Sequence, residues 1–179
     1  LLSALMLAGI IIMWIALFIV YLRKLYSLES SNKTLYDITT KDPLTGAYNF
    51  ETFKKKAQKL LTQTTKKYSL VYVDFADFKY INDVFGYKYG DEILINYAAI
   101  ISKELRAGEV LGRVSADNFV ILRYYNEKND IMVRQHQVDI KITEFMHDMY
   151  SGQAVSVQCG ICYLEDLAED LQKIGRAHV

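Results

Sequence analysis

The chain has 179 residues, 21 basic and 21 acidic side chains and no formal net charge; 51% of it is hydrophobic, with one proline, two cysteines and one tryptophan. These figures exclude a polybasic nucleic-acid binder, a disulfide-stapled secreted scaffold and a disordered polar tail. The average conceals two materials, because no charged residue occurs before Arg23.

Residues 1–22 read LLSALMLAGIIIMWIALFIVYL. As a helix they would span roughly 33 Å, enough to cross a hydrocarbon core of about 30 Å. A cleaved leader would show a basic start, a shorter apolar centre and a small-residue cleavage site, and a buried helix of a globular domain is seldom apolar all round. The segment is therefore expected to be a transmembrane helix. Arg23 and Lys24 follow it directly, which favours a cytoplasmic position for the rest of the chain. Residues 23–41 carry Leu25, Leu28, Asn32, Leu35 and Thr39 at steps of three and four. That spacing fits a helical linker, either a short coiled coil with two polar seam positions or a lone amphipathic helix.

Asp42-Pro43-Leu44-Thr45-Gly46 is a turn signal, and Asn49 is placed to cap a helix with Phe50, Phe53, Ala57 and Leu60 on one face. Ser69–Phe75 reads as a buried strand, and a helix is expected from Asp91, with Leu94, Tyr97, Ala98, Ile101 and Leu105 on one stripe. Val110–Val114 and Phe119–Leu122 flank Ser115-Ala116-Asp117-Asn118 as a hairpin. Val138, Ile142, Phe145 and Met149 mark another helix, and Ala154–Cys162 a last strand. The order β-α-β-β-α-β predicts one α/β domain of ferredoxin-like, α+β type.

In such a sheet the first strand and the hairpin are neighbours, so Asp74 and Asp117 are expected to converge. Two hard oxygen ligands suit Mg²⁺, which would polarise a phosphate and lower the pKa of an attacking hydroxyl. Spacing alone favours the plainer reading, two ordinary solvated aspartates. Cys159-Gly160-Ile161-Cys162 has the C-x-x-C spacing but lacks a second pair for zinc. Its cysteines are expected to be small buried residues. His136 and His147 are expected on the surface.

The run from Asp74 to Asp91, DFADFKYINDVFGYKYGD, resembles the long motif of the GGDEF, or diguanylate cyclase, family, as do the Asp42–Gly46 turn and Gly112–Phe119 (GRVSADNF). The resemblance covers Asp42 to about Cys162 and implies the nucleotidyl-cyclase palm fold. It also implies an activity, the joining of two GTP molecules into cyclic di-GMP with release of pyrophosphate, on a homodimer with Mg²⁺ or Mn²⁺. Asp74, the main-chain carbonyl of Phe75, and Asp117 match the metal ligands, with Asp117 also at the catalytic acidic position. Lys79 matches the residue that steadies the transferring phosphates, and Asn82 and Asp91 match the guanine-reading pair. Arg106 and Glu109 stand at the family's inhibitory product site, with glutamate replacing its aspartate.

Ser115 and Ala116 occupy the places of the two signature glycines, Asn118 that of the glutamate, and Phe50 a place where arginine is common. A regulatory module that binds GTP or cyclic di-GMP without turnover, serving a neighbouring domain such as an EAL phosphodiesterase, is the alternative to a cyclase. A purely structural dimerisation domain is a third reading. The domain is expected over 42–173, truncated at its C-terminal end. Residues 174–179, which match a translated sequencing-adapter run, are expected to be a non-native tail.

Overall fold

The computed structural model describes the backbone of residues 2–149 and 156–165, with side chains for 12–145 and 156–165. Two compact units divide the chain between Thr39 and Thr40. The first is one continuous helix, α1 (Leu2–Thr40), which joins the expected span and linker without a break. From Ile12 onward it exposes large apolar side chains such as Trp14, Leu17 and Phe18. Among the described residues no helix is long and apolar enough to cross a membrane. The 1–22 segment lies only partly within the described side chains. The suspected tail, 174–179, lies outside the described residues.

The second unit runs β1 (Tyr48–Asn49), α2 (Phe50–Gln63), β2 (Lys67–Phe75), α3 (Phe78–Phe85), α4 (Tyr87–Glu104), β3 (Val110–Ser115), β4 (Asn118–Tyr125), α5 (Lys128–Met149) and β5 (Val157–Leu164). The sheet order is β1-β3-β4-β2-β5. Strands β2, β3, β4 and β5 therefore reproduce the expected ferredoxin-like core, in which β2 pairs antiparallel with both β4 and β5. The two-residue β1 adds an edge, parallel to β3.

Alternation along the strands divides the core into two layers. Val71, Val73, Phe75, Phe119 and Ile121 pack with Ile93, Leu94, Tyr97 and Ile101 of α4 and Val138 and Ile142 of α5. Leu70, Val120 and Leu122 face the other way, onto Phe50, Phe53 and Ala57 of α2. Apart from Met149, whose side chain lies outside the described residues, the expected apolar stripes are thus the packed faces. Asn49 caps α2, accepting the Thr52 N–H at 2.9 Å. α2 sits close on β3 because Gly112 has no side chain; a Cβ there would lie 2.6 Å from that of Phe53.

Three local expectations need correction. α4 begins at Tyr87, not Asp91, because the break before it is Gly86 at φ 87°. α3 occupies the middle of the long motif, a helix additional to those expected. Cys159 and Cys162 are exposed free thiols, since among the described residues β5 is a sheet edge and not an inner strand. One core residue contradicts its surroundings. Arg123 of β4 is wholly buried, and its three guanidinium nitrogens lack a hydrogen-bond partner among the described residues.

Candidate functional site

β2 and β4 bring the acidic pair to one end of the sheet. Val73 is in register with Phe119, so Asp74 stands one step further on, level with the β3–β4 turn that carries Asp117. Both carboxylates are half-buried. Burial, foremost, and then the Asp74 charge push the Asp117 pKa above the ordinary aspartate value. Tyr72 reports the same convergence from a third position. Burial raises its phenol, and the charges of Asp74 and Asp117 raise it further.

Such a pair is a good receptor for a divalent cation. The Asp74 charge disfavours ionisation of Asp117 until positive charge is supplied, and oxygen donors are the ligands hard cations prefer. The donor set therefore fits Mg²⁺ or Mn²⁺, with Asp74, Asp117 and the carbonyl of Phe75 as the residues that would hold it. Among the described residues no group of three or more His, Cys, Asp or Glu could hold a metal. Two carboxylates and a main-chain oxygen leave several positions of an octahedral ion for water or phosphate.

Ser115 and Ala116 stand in the glycine positions of the signature turn, Ser115 as the last residue of β3. Among the described residues the only non-glycine with positive φ is Asp77, so neither Ser115 nor Ala116 adopts the backbone that a side chain disfavours. The Asn118 amide donates to the Asp117 carboxylate at 3.3 Å and to the Ser115 hydroxyl at 3.5 Å. Arg113 fastens the turn from outside. Its Nε donates to the Ala116 carbonyl at 3.0 Å, and Nη1 binds Asp42 Oδ1 at 2.8 Å. The same Asp42 oxygen accepts the Thr45 N–H and hydroxyl at 2.8 and 2.7 Å. Burial opposes ionisation of Asp42, but Thr45 and Arg113 outweigh it and hold the pKa below the ordinary value.

The long motif wraps the opposite side of the Asp74 strand end. Asp77, at φ 56°, turns the chain into α3; aspartate is among the few side chains that tolerate this conformation. Lys79 is exposed in the first turn of α3, Asn82 is half-buried further along it, and Asp91 is exposed in α4. The hinge at Gly86 lets α3 and α4 pack, which brings the neighbourhoods of Asn82 and Asp91 together. Glu109 is different in kind. Its side chain is 0% exposed and bridges to Arg134 of α5, at 2.6 Å from Oε1 and 2.7 Å from Oε2. Oε2 also accepts the Arg106 N–H at 2.9 Å, while the Arg106 guanidinium lies 5.8 Å from the centre of the Tyr124 ring.

Sequence reasoning missed Tyr72, Arg113 and Arg134. Period-2 alternation from Asp74 would have placed Tyr72 on the same face. No signal in one sequence pairs Arg113 with a residue 71 positions away.

A ferredoxin-like palm with paired carboxylates at the hairpin turn defines a class of α+β domains suited to phosphate chemistry. The family model described as "Diguanylate cyclase, GGDEF domain" matches residues 39–178, and the chain belongs to that family. It is 28% identical over 123 residues, 67% of the chain, to the diguanylate cyclase DgcP of Escherichia coli (strain K12). It is 26% identical over 153 residues, 82% of the chain, to DgcN of the same organism. The matches span 36% and 38% of those relatives' lengths. Among solved structures, the coiled coil and GGDEF domain of DgcB from Caulobacter crescentus, in complex with c-di-GMP, superposes with a TM-score of 0.72 at 16% identity, covering 87% of this chain and 86% of that one. The diguanylate cyclase SiaD from Pseudomonas aeruginosa, in complex with its activator SiaC, gives 0.66 at 21% identity, covering 87% and 63%. The family match establishes the family, and the structural likenesses establish the fold.

Proposed function

We propose that the chain is the membrane-anchored GGDEF domain of a diguanylate cyclase. The observation that carries this reading is the convergence of Asp74 and Asp117 beside a signature turn held without backbone strain. Each protomer binds one GTP, with Asn82 and Asp91 on the guanine edge and Lys79 near the phosphates. In a homodimer each 3′-hydroxyl attacks the α-phosphate of the other nucleotide. Two P–O bonds to ribose form, two α–β phosphoanhydride bonds break, and two pyrophosphates leave. Asp117, at the catalytic acidic position, takes up the proton of the attacking hydroxyl. Mg²⁺ or Mn²⁺, held by Asp74, Asp117 and the Phe75 carbonyl, supplies Lewis acidity at the phosphate when bound.

Residues 1–22 anchor the chain in the inner membrane, with the domain in the cytoplasm, and 23–41 pair two copies. This reading rests on the charge-free first segment and on the exposure of Leu25, Leu28 and Leu35 along α1. A helical pair would raise the effective concentration of two domains that must meet. Arg106 grips a product phosphate, while Glu109 fixes the backbone from which Arg106 projects.

The second reading is a nucleotide-binding regulatory module without turnover. Asn118 favours it, because an amide donating to Asp117 takes the place of a second negative charge at the turn. One assay on the full chain separates the two. With GTP and Mg²⁺, product formation that Asp117→Ala reduces at least about a thousandfold identifies the cyclase. GTP binding without product identifies the module, and neither product nor binding removes both readings.

A further inference from the structure

Gly90 lies within α4 and is buried, yet its backbone is helical and its φ is not positive. Nothing in the backbone requires glycine there, and a helix interior disfavours glycine relative to alanine. What requires it is space. A Cβ at position 90 would lie 2.0 Å from Oδ1 of Asn82, 3.1 Å from its Cγ and 3.0 Å from Cζ of Phe78. The Asn82 amide therefore rests directly on the α4 backbone, at the residue before Asp91.

We infer that Gly90 is a specificity-determining positioning residue, which seats the Asn82 amide beside Asp91 so that the two together read a guanine edge. The inference rests on the proposed GTP site. Guanine offers acceptors at O6 and N7 and donors at N1 and N2, which suit an amide N–H and a carboxylate respectively. Adenine carries a donor at its 6-position and none at N1. Discrimination therefore needs both groups along one edge, at a spacing the base fixes. A methyl group at position 90 must displace the movable partner. Phe78 is wedged in the core, so the displaced group is the Asn82 side chain, which swings off α4 and out of line with Asp91.

The test is nucleotide binding by the full chain, with GTP and ATP as probes, for wild type, Gly90→Ala, Asn82→Ala and the double variant. Gly90→Ala is expected to weaken GTP binding about tenfold, the size of one displaced hydrogen bond, and to leave ATP binding unchanged. In the Asn82→Ala background the same change should add less than about twofold, because the group it displaces is gone. Equal losses in both backgrounds, or a parallel loss for ATP, would show general damage to the helix pair and overturn the inference. GTP binding that ignores Gly90→Ala overturns it while leaving the GTP site standing. A wild-type chain that binds no GTP removes the site and the inference together. The Asn82→Ala single variant, which introduces no clash, must show the same loss of GTP-over-ATP preference even if Gly90→Ala unfolds.

Discussion

Two carboxylates mark the ends of strand β3, Glu109 just before it and Asp117 just after, and they have opposite fates. Glu109 is wholly enclosed and its oxygens are occupied by Arg134 and the Arg106 N–H. Asp117 is half-buried and faces a second acid, and its side-chain donor is the Asn118 amide at 3.3 Å. A saturated acid has no capacity left for a ligand. An unsaturated acid, held where its charge is disfavoured, gains most from a cation. Glu109 is thus closed off by protein partners, whereas Asp117 keeps the capacity that the metal and catalytic roles proposed for it require.

The contrast can be broken most sharply at Glu109. Replacement by alanine leaves Arg134 without its partner in a site only 11% exposed, and should cost about 3–5 kcal/mol, read as a lower urea midpoint of the domain's circular dichroism. Asp117→Ala should move that midpoint little while removing metal-dependent nucleotide chemistry, so equal destabilisation by both variants would erase the distinction. Arg113→Ala should cost about 1–3 kcal/mol, because it releases Asp42 and the Ala116 carbonyl together. If Arg113 positions the turn, Arg113→Ala should also weaken Mg²⁺-dependent GTP binding, an effect that stability loss elsewhere would not reproduce.

A pH series sharpens the comparison at lower amplitude. Asp42 has a lowered folded pKa, so the stability it gives is present above its unfolded value near 3.8 and is lost as the pH falls through the folded value. Asp117 has a raised pKa and acts in the opposite sense. The folded protein holds that proton more tightly, so its contribution declines as the pH rises from about 3.8 through the folded value. Asp42→Asn should flatten the acid limb of the curve, whereas Asp117→Asn should remove the opposing decline. The smallest change expected is from Asn118→Glu. It exchanges the amide donor for a negative charge, which should strengthen Mg²⁺ binding by severalfold or less and weaken the metal-free turn by about 0.5 kcal/mol. Titration calorimetry in which Mg²⁺ binds no more tightly would contradict a metal role for this turn.

The sheet core is legible because its signals are local. The apolar run at Ser69–Phe75, the hairpin spacing around Asp117 and the stripe from Leu94 to Ile101 all reappear as packed elements. Their order implies the neighbouring strands that bring Asp74 to Asp117. The hidden features depend on facts that no window of sequence contains. Asp91 resembles a helix start because an acid suits a positive end, yet Gly86 sets the boundary. Cys159 and Cys162 read as buried because an apolar strand does not disclose whether it lies at an edge. β1 is too short to carry a period, and the Arg113–Asp42 and Glu109–Arg134 pairs join residues far apart in sequence.

Arg123 has a consequence for how the domain comes apart. Burial pulls its guanidinium below the ordinary arginine pKa, and the face of β4 on which it lies supports α4 and α5. Opening that layer would return the charge to water, and its rehydration would offset part of the cost of exposing the apolar side chains around it. α5 should therefore be the soft shutter of the domain: its amides exchange with solvent before those of β2, and Arg123→Met slows that exchange. α5 thus holds its place less firmly than its apolar face alone would suggest.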